Sequence, residues 1–166
     1  MRKIRGFVTV TKWHRGRRIW TIEKENLIVT AGLGPIGNLL GGAASATNAI
    51  SVVGFGSGNA APAITDVDLT PPAYYKAGLA VSNPSSGQAQ FTWSLSGATS
   101  PDTGDWQAVG MNVTELAFFA NTGSLGLPIN RPSGAAPNLT MIGHILLNLG
   151  TIESGGNYTG TWTFVA

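Results

Sequence analysis

The chain of 166 residues contains no cysteine. Disulfide bridges and thiolate metal sites are therefore excluded. Burial of apolar surface and contacts made on assembly must supply the stability of the fold, and the cysteine content leaves the redox compartment open.

Charged residues are scarce as well. Asp, Glu, Lys and Arg make up 11% of the chain, whereas about a quarter is usual for a globular domain. The low content of charged residues does not indicate disorder, because the sequence holds 6 Phe, 5 Trp and 3 Tyr and has a net charge of only +2. A packed core is therefore expected. A surface so poor in charge is typical of a protein covered by partners.

The sequence also lacks a long apolar run. No stretch approaches the roughly 18 consecutive apolar residues that span a bilayer. The N-terminus has basic residues followed by alternation, without the apolar centre of a signal peptide. We therefore expect a soluble, uncleaved protein with no membrane partner.

Charge is segregated along the chain. Residues 1–20 hold seven basic side chains and no acid, and residues 21–166 hold three basic and eight acidic side chains, a net charge of −5. A basic terminal segment can bind nucleic-acid phosphates or an acidic protein surface. The basic residues alternate with aromatic and β-branched ones as in a folded hairpin, which favours protein contact over nucleic acid. The predicted partner-binding residues are Arg2, Lys3, Arg5, Arg15, Arg17 and Arg18.

Residues 4–13 and 17–24 alternate with period two and are separated by His14, Arg15 and Gly16, which predicts a β-hairpin. Apolar residues then repeat at helical spacing. This predicts a helix with Thr30 as its N-cap and with Gly41 and Gly42 at its end. Pro35 is compatible only with the first turn of that helix. Further strands are predicted at 49–55, 74–82, 88–96, 110–120, 139–149 and 157–165.

About eight strands with one small helix predict an all-β fold, an antiparallel β-sandwich of Greek-key or jelly-roll type with an N-terminal β-hairpin and one short α-helix. No composition shift marks a boundary. We expect a single domain over residues 1–166, in which residues 1–24 form a basic hairpin or arm.

Motifs that carry chemistry are weak. The glycine run 54–58 lacks the helix that a phosphate loop needs and indicates a structural turn. Asp66 and Asp68 lack the further ligands of a calcium loop. His144 lies in an apolar strand, which favours a satisfied sheet histidine over a general base, and Glu115 has no recognisable acid partner. The sequence therefore predicts no enzyme, no catalytic or metal residues and no cofactor.

Four of the five tryptophans, Trp13, Trp20, Trp93 and Trp162, lie in alternating strands and are predicted to be in the core. Trp106 lies in a turn-rich segment and is the best candidate for an aromatic surface contact. Exposed aromatic residues of this kind can also bind sugars.

The order of segments resembles a family of small virion proteins of tailed bacteriophages, which includes head-decoration, tail-fibre and tail-tip components. The matching segments are NLIVTAGL at 26–33, VGFGSGNAAP at 53–62, TDVDL at 65–69, VTELAFF at 113–119 and GTWTF at 160–164. The resemblance implies a non-enzymatic building block that is made in the bacterial host cytoplasm and located in the virion.

Two positions in the virion agree with this resemblance. A decoration or cement protein would stabilise the head by binding the lattice of the major capsid protein, whereas a fibre, tip or adaptor protein would contact other tail proteins. In either position we expect association of copies into a dimer or trimer. A carbohydrate-binding β-sandwich module is the alternative from another class.

Overall fold

The computed structural model describes residues 5–40, 49–77, 79–85, 88–97, 105–121, 129–131 and 138–165, with the side chains of 37–40, 106 and 129–131 left out. Apart from a 3-10 helix at Trp106–Ala108, one helix and ten strands are present in this part of the chain. They are β1 (Arg5–His14), β2 (Arg17–Ile28), α1 (Thr30–Leu40), β3 (Ile50–Gly56), β4 (Ala73–Ala77), β5 (Ala80–Ser82), β6 (Gln88–Ser96), β7 (Asn112–Asn121), β8 (Ile129–Arg131), β9 (Leu139–Thr151) and β10 (Gly156–Val165). No helix in these ranges is both long and apolar enough to cross a membrane.

The first two strands form the predicted hairpin. Arg15 and Gly16 connect them with φ of 48° and 76°, the left-handed conformations that a tight two-residue β-turn requires. A shift in register pairs Lys12 with Trp20 but Trp13 with Arg18, which leaves Ile19 as an extra residue in a β-bulge. The hairpin is part of the body of the protein, because β1 lies between β2 and β10.

All ten strands belong to one antiparallel sheet with the order β5-β6-β10-β1-β2-β9-β7-β3-β4-β8. We call the first five strands half A and the last five half B. Strand β2 pairs with β1 from Arg17 to Asn26 and with β9 only at Leu27 and Ile28. The two halves are therefore joined through the last two residues of β2.

The halves pack against each other through a shared core. Phe55 of β3 meets Trp93 of β6 edge to face with ring centroids 5.2 Å apart, and Phe118 of β7 stacks on Trp162 of β10 at 4.1 Å. The other face of half A is exposed to solvent, as at Thr92. Apolar and polar residues therefore alternate along its strands.

In half B, β3 and β7 are buried on both faces, so these strands are largely apolar. The outer face of half B forms a second core in which Tyr75, Phe119 and Met141 pack against Leu69 of the segment that follows β3. Helix α1 packs closely on β9, since a Cβ on Gly32 would lie 2.5 Å from the carbonyl oxygen of Ile142, and the buried Ile36 of the helix joins the shared core. Only glycine permits this approach.

The structure confirms the all-β antiparallel class with an N-terminal hairpin and one short helix. Two local predictions are wrong. Residues 74–82 are not one strand but two, because the chain leaves β4 in half B and enters β5 in half A. Pro35 lies in the second turn of α1, which begins at Thr30, so its missing amide costs α1 one hydrogen bond.

The predicted burial of four tryptophans holds for two of them. Trp93 and Trp162 are 4% and 0% exposed. Trp13 and Trp20 are half-buried, because both lie near the hairpin turn, where the sheet extends past the core. The backbone of Trp106 begins the 3-10 helix, and its side chain lies outside the described atoms.

Candidate functional site

The basic side chains at the hairpin turn form one exposed group. Arg15 is in the turn, Arg17 and Arg18 begin β2, and all three are exposed. We call these three residues the arginine tip. The geometry follows from the two-residue turn, which leaves little room for other side chains at the end of the strands.

Arg5 does not belong to the arginine tip. Strand β1 has 10 residues, so Arg5 lies about 30 Å from the turn at a rise of about 3.3 Å per residue. Its guanidinium Nε is 3.9 Å from Glu25, and both side chains are more than half exposed. Predicted contact residues Arg2 and Lys3 lie outside the described residues.

Lys12, the basic residue of β1 nearest the turn, has a partner within the fold. Its Nζ is 3.2 Å from a carboxylate oxygen of Glu153. Burial works against its charge, but the hydrogen bond and the charge of Glu153 raise the pKa of Lys12. The charge available to a partner at this end of the hairpin therefore comes from the arginine tip.

A second polar group lies inside half B and centres on His144 of β9. The imidazole Nδ1 is 2.7 Å from Oδ2 of Asp66, and Nε2 is 2.9 Å from Oε2 of Glu115. His144 is 5% exposed and Glu115 is 2% exposed. We call Asp66, Glu115 and His144 the histidine clamp.

The histidine clamp holds the segment 57–72 against the sheet. The second carboxylate oxygen of Glu115 accepts hydrogen bonds from the backbone amides of Gly58 at 3.0 Å and Thr70 at 2.6 Å. A Cβ on Gly58 would lie 2.6 Å from both Glu115 carboxylate oxygens. The prediction of a turn over 54–58 is wrong, because residues 54–56 are the end of β3 and pair with strands on both sides. Gly58, which follows the strand, makes room for a carboxylate of the protein itself.

The electrostatics of the histidine clamp favour its charged form. Burial opposes the charge on His144, but hydrogen bonds from its ring to Glu115 and Asp66, and the charges of both, raise its pKa. Burial also opposes the carboxylates, yet the hydrogen bond to His144 and backbone amides lower the pKa of Glu115, and the Ala63 amide and His144 lower that of Asp66. With a carboxylate oxygen within hydrogen-bond distance of each ring nitrogen, the geometry of the clamp suits an imidazolium between two carboxylates.

These groups are engaged with one another and point to structure more than to reaction chemistry. The hydroxyl of Thr114 donates to the carbonyl of Gly58 at 2.6 Å. Asp68 is directed elsewhere, since it accepts a hydrogen bond from the Tyr75 hydroxyl at 2.5 Å. In the described ranges no three His, Asp or Glu side chains are placed to hold a metal ion.

A third polar group ties the segment before β7 to both halves. Asp105, 2% exposed, accepts hydrogen bonds from the Tyr74 hydroxyl at 2.6 Å and from the amide of Ser96 at 2.8 Å. Its Oδ2 is 2.7 Å from the Lys76 ammonium group. Burial, followed by the hydrogen bond to Asp105 and its negative charge, raises the pKa of Tyr74.

The partners of His144 were not predicted from the sequence, because Asp66 and Glu115 are 78 and 29 residues away. The sequence nevertheless contains a signal for the pairing of Glu115 with His144. Glu115 and His144 are single ionisable residues inside otherwise apolar strands, and buried ionisable groups need partners. Two such residues in neighbouring strands of one sheet are candidates for pairing.

Comparisons with protein families, with curated proteins and with solved structures find no match to this chain.

Proposed function

We propose that this protein is a structural component of a bacteriophage virion, a decoration or cement protein that binds the capsid lattice and stabilises the head. The observation that carries the proposal is the arginine tip, a compact group of three exposed guanidinium groups on a protein that otherwise has an excess of acids.

The arginine tip suits attachment to carboxylates on a neighbouring protein. Guanidinium groups bind carboxylates with two parallel hydrogen bonds and are less strongly hydrated than ammonium groups, so they lose less on burial in an interface. A hairpin supports them, and β1 is paired on both sides. The arginine tip is thus presented on a rigid element, which lowers the entropy cost of binding.

The rest of the molecule suits a building block. A charge-poor surface can be buried against neighbours without leaving unpaired charges, which would cost several kcal/mol each. The histidine clamp fixes the segment 57–72, which would otherwise be a mobile surface loop. A protein that binds only the assembled lattice stabilises it by mass action.

Neutralising the arginine tip tests the proposal. The variant Arg15→Gln/Arg18→Gln is expected to bind phage heads at least about tenfold more weakly, because two charge-assisted contacts are lost. The measurement is co-sedimentation of purified protein with heads that lack it.

A matched control is Ser82→Glu/Thr92→Glu, which lowers the net charge by the same two units at exposed positions of half A that lie away from the hairpin turn. This control should bind as the unmodified protein does. Equal binding by the arginine variant, or equal weakening by the control, would contradict attachment through the arginine tip.

A further inference from the structure

Strand β2 has an open edge in the middle of the sheet. One side of the strand pairs with β1 from Arg17 to Asn26, whereas the other side pairs with β9 only at Leu27 and Ile28. Within the described ranges, no strand pairs with residues 17–26 on that second side. This leaves a row of backbone amide and carbonyl groups able to accept another strand.

The open edge is accessible. Arg17, Ile19, Thr21, Glu23 and Glu25 are exposed, and Ile19 is 54% exposed although it is a large apolar residue. Residues 17–26 contain no proline. Lys24 extends across to β9, where its Nζ donates to the carbonyl of Leu146 at 2.9 Å. That contact lies at the end of the edge nearest the pairing with β9 and accounts for one carbonyl of β9.

The charges along this edge identify the strand that fits it. The beginning of the edge is basic, with Arg17 and Arg18, and the end is acidic on balance, with Glu23 and Glu25 on either side of Lys24. An antiparallel copy of the same strand reverses this order and sets each basic end against an acidic one. A uniformly acidic strand would instead face Glu23 and Glu25 with like charge.

We propose that the open edge of β2 pairs antiparallel with the same edge of a second copy of this chain, forming a twofold dimer with a sheet continuous across it. A twofold axis at Thr21 sets Arg17 opposite Glu25 of the second copy, and an axis at Trp20 sets it opposite Glu23. The pair between Arg5 and Glu25 is exposed and 3.9 Å long, so Glu25 remains able to pair with another guanidinium group.

Charge reversal tests the dimer without disturbing the fold, since the altered side chains are exposed. The variants Arg17→Glu and Glu23→Arg/Glu25→Arg each place like charges opposite one another twice. Each should self-associate about tenfold more weakly or worse than the unmodified chain. An equimolar mixture of the two variants restores both opposite-charge pairs and should dimerise as the unmodified chain does.

Sedimentation equilibrium measures the dissociation constants, and circular dichroism checks that the variants are folded. An unmodified chain that stays monomeric at every concentration would overturn the proposal. So would variants that dimerise as tightly as the unmodified chain, or a mixture that does not recover. The experiment contains no phage particles and leaves Arg15 and Arg18 unchanged, so its failure is distinguishable from failure of attachment through the arginine tip.

Discussion

Replacing His144 with leucine is expected to lower the free energy of unfolding by about 3–5 kcal/mol, the usual cost of removing one partner of a buried ion pair. The substitution leaves the carboxylate of Glu115, which is 2% exposed, without its imidazolium partner. It also releases Asp66, which accepts from the amide of Ala63 and so holds the middle of the segment 57–72. Urea unfolding measures the loss.

A double-mutant cycle separates the ion pair from simple packing. If Glu115→Met is combined with His144→Leu, no buried carboxylate remains at this position, and the combined loss should be smaller than the sum of the two single losses. Additive losses, or a loss below about 1 kcal/mol for His144→Leu alone, would mean that the histidine clamp does not hold the segment.

The same variant has a pH signature. The pKa of His144 is raised by folding, so its contribution to stability is complete below its ordinary pKa of 6.5 and is lost as pH rises through the folded value. The pKa values of Asp66 and Glu115 are lowered, so their contributions are present above the ordinary values of 3.8 and 4.5 and are lost as pH falls through the folded values. The clamp therefore stabilises most between about pH 5 and 6.5. His144→Leu should remove the decrease in the free energy of unfolding that the native protein shows above about pH 6.5.

Replacing Trp162 with alanine is expected to cost about 3–5 kcal/mol, as for other fully buried large side chains. Trp162 is 0% exposed and stacks on Phe118 of the opposite half. Its indole nitrogen donates at 2.9 Å to Oδ1 of Asn26, which is 6% exposed. The substitution thus opens a cavity between the halves and leaves a buried amide oxygen without its donor.

The matched control is Trp13→Ala on the neighbouring strand. Trp13 is half-buried, and its indole nitrogen donates to the hydroxyl of Thr159 at 3.0 Å in an exposed setting. We expect a cost of about 1 kcal/mol or less for this change, because water replaces the lost hydrogen bond. Equal costs at the two positions, measured by thermal or urea unfolding, would contradict the assignment of Trp162 to the shared core.

Strand patterns predicted the class of the fold because half A has one face exposed to solvent. Buried apolar residues such as Phe91, Trp93 and Leu95 therefore alternate with exposed polar ones. In half B, β7 and the middle of β9 are buried on both faces, so they show apolar runs that locate the strands but not their neighbours. The join at Leu27 and Ile28 depends on contacts far apart in sequence, which periodicity does not contain. The Greek-key or jelly-roll connectivity stays a prediction.

The candidate site was predicted in part for a similar reason. The arginine tip follows from a local turn, and local turns can be predicted from Gly16 and the flanking alternation. The distance between Arg5 and the arginine tip follows from the length of β1. That length is known once the structure gives both ends of the strand. The partners of His144 required the order of the strands.

Quantitative mass spectrometry of phage particles, purified from a source whose genome contains this sequence, tests the proposed virion role most directly. The account predicts that the chain is present in hundreds of copies per particle and fractionates with the heads. A few to some dozens of copies fractionating with tails would move the protein to the tail. Absence of the chain from the particles would contradict a structural role in the virion.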